Sequence, residues 1–213
     1  MIILGALLVI LPTVTMVTED SLQQAGIKNN SLIEYSVNKS SWLSLSGTTN
    51  VNSFECMSNS GISDNYLMVE TNHNTEKINF TNACLLIDIV SFDCKNQLIS
   101  RDMHKALGGA PNSNIEVRLL DAFPGSEKME SSKGTITANV LITINGKSQT
   151  KGLNICWFRG ERFEYHFTGT TELSMSEFEI EPPSPAFGLV RVNDKITINF
   201  NYIVQPDIIS RLE

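Results

Sequence analysis

Positive charge is scarce in this sequence. The 213 residues include 16 Lys and Arg against 23 Asp and Glu, which gives a net charge of −7 at pH 7. Proteins that neutralise nucleic-acid phosphates, or that are drawn to an anionic membrane surface, present a basic face. The composition therefore disfavours both kinds of partner, and we predict that the protein binds no nucleic acid.

Signatures of metal binding and catalysis are missing as well. The sequence contains no G-x-S-x-G, no H-E-x-x-H and no phosphate-cradling glycine loop, the patterns that mark many hydrolases, zinc proteases and nucleotide sites. The cysteines form no C-x-x-C pair of the kind that holds zinc; they are Cys56, Cys84, Cys94 and Cys156. We predict no metal, no cofactor and no enzymatic activity.

One enzymatic alternative rests on two short patterns. "SVNK", from Ser36 to Lys39, fits S-x-x-K, and "SDN" stands at residues 63–65; both occur in serine-active penicillin-binding enzymes. The third element of that class, K-T-G, is absent, and Ser36 lies in a segment with strand alternation. Because three-residue patterns recur by chance, this alternative is the weakest hypothesis.

Hydrophobic runs are short. The apolar run from Ile2 to Leu11 has the length of a signal-peptide core and falls below the roughly 20 residues that span a bilayer. No Lys or Arg precedes it and no A-x-A site follows it, so a buried N-terminal strand or helix is the alternative. We predict that residues 1–20 are a signal peptide or an N-terminal apolar segment, and that the protein is periplasmic or secreted.

Alternating apolar and polar residues fill most of the remaining chain. This pattern is typical of antiparallel strands with one face in water. "KITINFNYIV" is its clearest example, and "TANVLITI" is followed by Asn145 and Gly146, a pair suited to a two-residue type I′ turn. "CWFRGERFEYHF" predicts a second hairpin, with Arg159 and Gly160 at its turn and Phe163 already in the next strand. Three consecutive strands would then form a meander.

Only one segment has helical periodicity. It lies near residues 97–107 and ends at Gly108 and Gly109. Many strands and one short helix predict a closed or nearly closed antiparallel β-barrel, because closure leaves no unpaired sheet edge. We assign residues 31–206 to this single domain.

The inward faces of the strands are the candidate ligand-binding surface. Alternation places on them Val140, Ile142, Ile144, Phe163, Tyr165, Phe167, Ile196, Ile198, Phe200 and Tyr202. Small barrels either fill their interior with side chains or enclose a ligand cavity, and the residues alone leave both possibilities open. Trp42 and Trp157 fit either one.

The segment "ELSMSEFEIEPPSPAFGLVRVNDKITINFNYIV" resembles the C-terminal signature of the YceI-like family. There, a strand and a Met-containing polar stretch lead through a Pro-Pro turn to the last barrel strand. "GTTNVNSFEC", "FDCKNQLISRDMHKAL" and "NVLITINGKSQTKGLNI" resemble, in the same order, the first hairpin, the helix-bearing connection and the central hairpin of that family. The resemblance covers about Ile33 to Val204.

The resemblance implies a lipocalin-like barrel in the bacterial envelope. Its cavity is expected to bind, sequester or transport an apolar lipid, such as a polyisoprenoid or an isoprenoid quinone, without turnover. It also implies a disulfide between Cys56 and Cys94, with free buried thiols as the alternative, while Cys84 and Cys156 stay unpaired. A structural or protein-interaction barrel with a filled core is the alternative function, and a homodimer is possible.

Overall fold

The computed structural model describes residues 30–58, 66–72, 77–109, 113–125, 132–184 and 187–206. The N-terminal segment of residues 1–20 lies outside this part of the chain. Within it lie one α-helix, α1 (Gln97–Ala106), and two short 3-10 helices, Ile89–Ser91 and Met175–Phe178. None of the helices in the described ranges is both long enough and apolar enough to span a lipid bilayer.

Eleven strands make up the rest of the fold. They are β1 (Asn30–Val37), β2 (Trp42–Thr49), β3 (Ser53–Ser58), β4 (Tyr66–Asn72), β5 (Ile78–Asp88), β6 (Phe92–Asp93), β7 (Asn114–Pro124), β8 (Lys133–Ile144), β9 (Lys147–Arg159), β10 (Tyr165–Ser174) and β11 (Val192–Pro206). They form one antiparallel sheet in the order β1-β4-β5-β7-β8-β9-β10-β11-β2-β3-β6.

The sheet curls into a nearly closed barrel because β11 has two partners on one edge. Its earlier residues pair with β2, from Val192 opposite Thr49 to Asn201 opposite Trp42. Its last residues pair with β1 over three positions, from Val204 opposite Val37 to Pro206 opposite Tyr35. The strand order therefore returns from β11 to its first strand, β1, while β2, β3 and β6 extend the sheet beyond β11. The predicted barrel class is confirmed.

Side-chain alternation explains why these segments become strands. In β8, Ala138, Val140, Ile142 and Ile144 are all buried, while the residues between them are more exposed. The predicted turn after β8 is also present: Asn145 and Gly146 both have positive φ, 48° and 75°, as a type I′ turn requires.

The predicted second hairpin is present, but its turn was placed wrongly. β9 continues to Arg159, which pairs with Tyr165, so residues 160–164 form a five-residue loop. The Gly160 N–H donates to the Glu164 carbonyl at 2.8 Å and closes this loop. Phe163 therefore lies in a loop with a φ of 64°, not in β10.

Helix α1 covers one end of the barrel. Asn96 caps its first turn, since its side-chain oxygen accepts hydrogen bonds from the Leu98 and Ile99 N–H groups. Ile99 and Met103 pack on the core with Ala106 and Leu107, as the periodicity predicts.

A disulfide fastens this helix-bearing connection to the first hairpin. Cys56 of β3 is bonded to Cys94, two residues before the cap of α1. Closing a loop of 38 residues stabilises a fold by about 3 to 4 kcal/mol. Cys84 and Cys156 are free thiols.

The double proline belongs to a segment that crosses the same end of the barrel. Residues 175–180, which we call the plug, bring Met175, Phe178 and Ile180 inward; Phe178 and Ile180 are buried. Pro183 then follows without a backbone donor, while its carbonyl accepts from the Val192 N–H at 3.1 Å as β11 begins.

Candidate ligand cavity

The barrel encloses an apolar cavity of about 820 Å³. Alternate residues of β2, β7, β8, β9, β10 and β11 line it, together with α1 and the plug. Arg101 and Asp102, both on α1, are the only charged residues among the described ones that line it. The interior can therefore solvate hydrocarbon and offers little to a charged ligand.

Nine of the ten residues that alternation assigns to the inward face do line the cavity. They are Val140, Ile142, Ile144, Tyr165, Phe167, Ile196, Ile198, Phe200 and Tyr202. Phe163 does not: its ring is 65% exposed and lies 4.9 Å from the Arg159 guanidinium outside the barrel. The five-residue loop is the reason, because it ends the alternation before Tyr165.

Further lining residues come from strands whose alternation is interrupted. β7 has a bulge between Leu119 and Asp121. Before it the inward residues have odd numbers, such as Val117 and Leu119, and after it even numbers, such as Ala122. Two-residue periodicity alone cannot assign such a strand. Leu43 and Leu45 of β2 also line the cavity, and their alternation in "WLSLSG" is the signal that could have found them.

The cavity reaches the surface beside α1. Of its lining residues, Val51 and Leu98 are 66% and 62% exposed, and Asn52, Asn96 and Arg101 are exposed as well. We call this opening between α1 and the β2–β3 turn the mouth. The turn is held in shape by Thr49, whose hydroxyl donates to the Asn52 side chain at 2.8 Å.

Two glycines leave room for aromatic rings at inward positions. A Cβ atom at Gly169 would lie 2.5 Å from Cζ of Phe200, its cross-strand partner. A Cβ at Gly47 would lie 2.6 Å from Cζ of Phe54. Both rings lie against bare backbone and border the cavity.

Aromatic side chains gather at the cavity end opposite α1. The ring centroid of Tyr165 lies 6.5 Å from that of Tyr35 and 6.2 Å from that of Trp157. The ring centroids of Phe200 and Tyr202 are 5.5 Å apart. Burial raises the pKa of the Tyr202 phenol above its ordinary value of 10.0, so this hydroxyl is neutral at physiological pH. We call this region the aromatic end.

Hydrogen bonds and ion pairs fasten the plug to the outside of the barrel. Lys151 Nζ lies 2.6 Å from Oε1 of Glu177, and the Ser176 N–H and hydroxyl donate to the two carboxylate oxygens of Asp194 at 2.8 and 2.7 Å. The hydrogen bond from Lys151 is the largest cause that lowers the pKa of Glu177, and the Ser176 hydroxyl does the same for Asp194. These carboxylates hold structure in place at the barrel end.

Only one of the two patterns of the enzymatic alternative lies in the described part of the chain. Ser36 lies within β1 opposite Gln205, and residues 63–65 lie outside the described part of the chain. Within the ranges that the structure describes, no three His, Cys, Asp or Glu side chains are grouped as ligands for a metal ion.

Comparison with solved structures places this geometry among known folds. A polyisoprenoid binding domain from Saccharophagus degradans matches with a TM-score of 0.59 at 10% sequence identity, over 81% of this chain and 98% of that one. Burkholderia cenocepacia BcnA matches with a TM-score of 0.57 at 15% identity, over 78% of this chain and 98% of its own.

The chain has a YceI-like fold. A Campylobacter jejuni YCEI protein also matches, with a TM-score of 0.43 at 15% identity, over 66% of this chain and 80% of that one. No family model and no curated protein matches the sequence. The two matches with a TM-score above 0.5 share this fold at identities of only 10% and 15%.

Proposed function

We propose that this YceI-like barrel binds an apolar lipid, an isoprenoid chain, and sequesters or carries it without chemical turnover. The single observation that carries the proposal is the 820 Å³ cavity, whose walls are hydrocarbon except for a few groups, most of them near the mouth. Cavities that take small molecules have volumes of about 300 to 1,000 Å³.

Energetics favour a filled cavity. An empty apolar cavity leaves its lining side chains without contact partners, and water that enters through the mouth finds few polar groups to bind. A lipid supplies those contacts and gains about 0.8 kcal/mol per buried methylene. If a methylene takes roughly the 30 Å³ of a liquid water molecule, the cavity holds on the order of 25 to 30 carbons.

The same proposal places the protein in the bacterial envelope, as a periplasmic or secreted protein. The disulfide between Cys56 and Cys94 supports this compartment, because disulfides persist in oxidising surroundings. The apolar interior also supports an isoprenoid or other long hydrocarbon chain as the ligand, in preference to a compact polar molecule.

The test begins with native mass spectrometry, with and without organic extraction, of protein purified from its own envelope. We expect an apolar adduct that extraction removes. Protein freed of bound lipid by extraction, which we call stripped protein, is then titrated with isoprenoid hydrocarbons of increasing length. Affinity should rise roughly fourfold per buried methylene and level off when the cavity is full.

A matched pair of variants separates cavity binding from surface adsorption. Leu153 lines the cavity, and Leu153→Trp should lower the affinity for the longest chains by at least tenfold. Thr150 lies on the outer face of the same strand and is exposed, so Thr150→Trp should bind like the unmodified protein. A clean protein mass together with no binding of any chain would refute the proposal and favour a protein-interaction barrel.

A further inference from the structure

Tyr202 places a polar hydroxyl in a cavity whose walls are mostly apolar. Tyr202 lies near the end of β11, opposite Phe167 of β10, and its side chain lines the cavity at the aromatic end. Within the described residues, no protein group forms a hydrogen bond with this hydroxyl. Buried polar groups without a partner are rare and costly, since they lose their hydrogen bonds to water and gain none.

Water is a poor replacement for the missing partner. A buried water molecule needs two to four polar contacts, and the side chains of Phe200, which contacts the Tyr202 ring, and Phe167, which lies opposite it, supply none. A ligand oxygen at this point would satisfy the hydroxyl. The lipid itself is therefore the candidate acceptor.

We propose that the aromatic end is a head-group subsite, in which the Tyr202 hydroxyl donates a hydrogen bond to a neutral oxygen of the lipid. This inference rests on the proposed lipid-binding function and adds the class and orientation of the ligand. The oxygen-bearing end lies between the aromatic rings, and the hydrocarbon tail runs towards α1 and the mouth.

Charge decides which head groups fit. Arg101, the one cation among the described lining residues, lies on α1 at the opposite end of the cavity. A phosphate or carboxylate at the aromatic end would be buried without a counter-charge, and such burial is strongly unfavourable. The subsite therefore takes a ketone, quinone, ether or alcohol oxygen and excludes an ionised head group.

The test compares three probes of similar chain length on stripped protein: an isoprenoid ketone, the matching isoprenoid hydrocarbon and the matching prenyl phosphate. We expect the ketone to bind most tightly, whereas the phosphate can bind only with its charged head in water at the mouth. Tyr202→Phe keeps the ring and removes the hydroxyl. It should weaken ketone binding by roughly three- to tenfold, the worth of one hydrogen bond, and leave hydrocarbon binding unchanged.

Infrared spectroscopy gives a readout that packing alone would not change. The carbonyl stretch of the bound ketone should lie at lower frequency in the unmodified protein than in Tyr202→Phe. Thr150→Val is the matched control, because it removes a hydroxyl from the exposed outer face of β9 and leaves the cavity lining unchanged. It should leave the carbonyl frequency unchanged.

The outcomes separate this inference from the proposed function. Equal ketone affinity and equal carbonyl frequency in the unmodified protein and Tyr202→Phe, with hydrocarbon still bound, would overturn the subsite alone. A loss of phosphate affinity in Tyr202→Phe equal to the loss of ketone affinity would also overturn it, because it would place the charged head at the aromatic end. If neither hydrocarbon nor ketone binds, the lipid-binding function and the subsite fail together.

Discussion

Because glycine has no side chain, Gly169 leaves space that shapes the cavity wall. The Phe200 ring lies directly over this glycine, where an alanine Cβ would approach Cζ to 2.5 Å. Since real contacts are never that short, an added methyl group would tip the ring into the cavity. The aromatic wall thus depends on a residue that contributes only backbone.

Gly169→Ala should therefore destabilise the protein by about 1 to 3 kcal/mol, the usual cost of overpacking a core, and should weaken lipid binding. Gly152→Ala is the control, because its Cβ would meet only Asn139 Oδ1 at 3.8 Å. Urea unfolding of the stripped proteins measures the effect. Equal unfolding free energies for the two variants would show that the Phe200 ring adapts without cost.

Single residues also show where prediction from sequence stops. Tyr202 and Phe200 could be assigned to the inner face because β11 alternates without interruption from Lys195 to Val204. Phe163 could not, because the length of a loop depends on how neighbouring strands pair, which is a tertiary property. The free hydroxyl of Tyr202 was likewise invisible, since it depends on what surrounds the side chain.

At the scale of elements, α1 and the plug share one end of the barrel. The sequence predicts α1 from its periodicity and the two glycines that end it, and the family resemblance predicts the Pro-Pro turn before the last strand. Neither pattern indicates that Leu98 borders an opening, because exposure at a cavity mouth depends on the packing of the β2–β3 turn against the helix. Two-residue periodicity could not predict the bulge in β7 either.

The plug should make stability depend on pH. The folded state lowers the pKa of Glu177 and Asp194 below their ordinary values of 4.5 and 3.8, so the unfolded chain takes up these protons first as the pH falls. Their contribution is complete above the ordinary values and is lost as the pH drops through the lower folded-state values. We expect the unfolding free energy to decline below about pH 4.5.

Glu177→Gln isolates the part of this decline that belongs to the plug. The variant should be less stable than the unmodified protein at pH 7, and the difference should shrink as the pH falls below 4.5. Glu172→Gln is the control, because Glu172 lies 3.7 Å from Lys195 in an exposed pair. Urea unfolding from pH 7 to pH 3 tests this, and a difference independent of pH would contradict the assignment.

At the scale of the whole molecule, the barrel class and the order of its hairpins could be predicted because alternation and turn residues are local properties. The pairing of β11 with both β1 and β2 could not, since it joins residues more than 140 positions apart. The cavity belongs to the same non-local level: apolar inward faces are compatible with a packed core or a void, and only their spacing in the closed sheet decides.

Lipid should accordingly contribute to the stability of the whole barrel. A ligand present at 100 times its Kd stabilises the folded state by about 2.7 kcal/mol, and each kcal/mol raises the Tm of a domain of this size by about 2 to 4 °C. Stripped protein should thus melt roughly 5 to 10 °C below the loaded protein, and added isoprenoid should restore the difference. Leu153→Trp supplies the contrast, because its indole takes part of the space of the longest chains. Its Tm should rise less on adding a long isoprenoid than that of the unmodified protein, whereas Thr150→Trp should respond like the unmodified protein. A stripped barrel that melts with the loaded one would mean that the cavity closes when empty, and that binding must open it again.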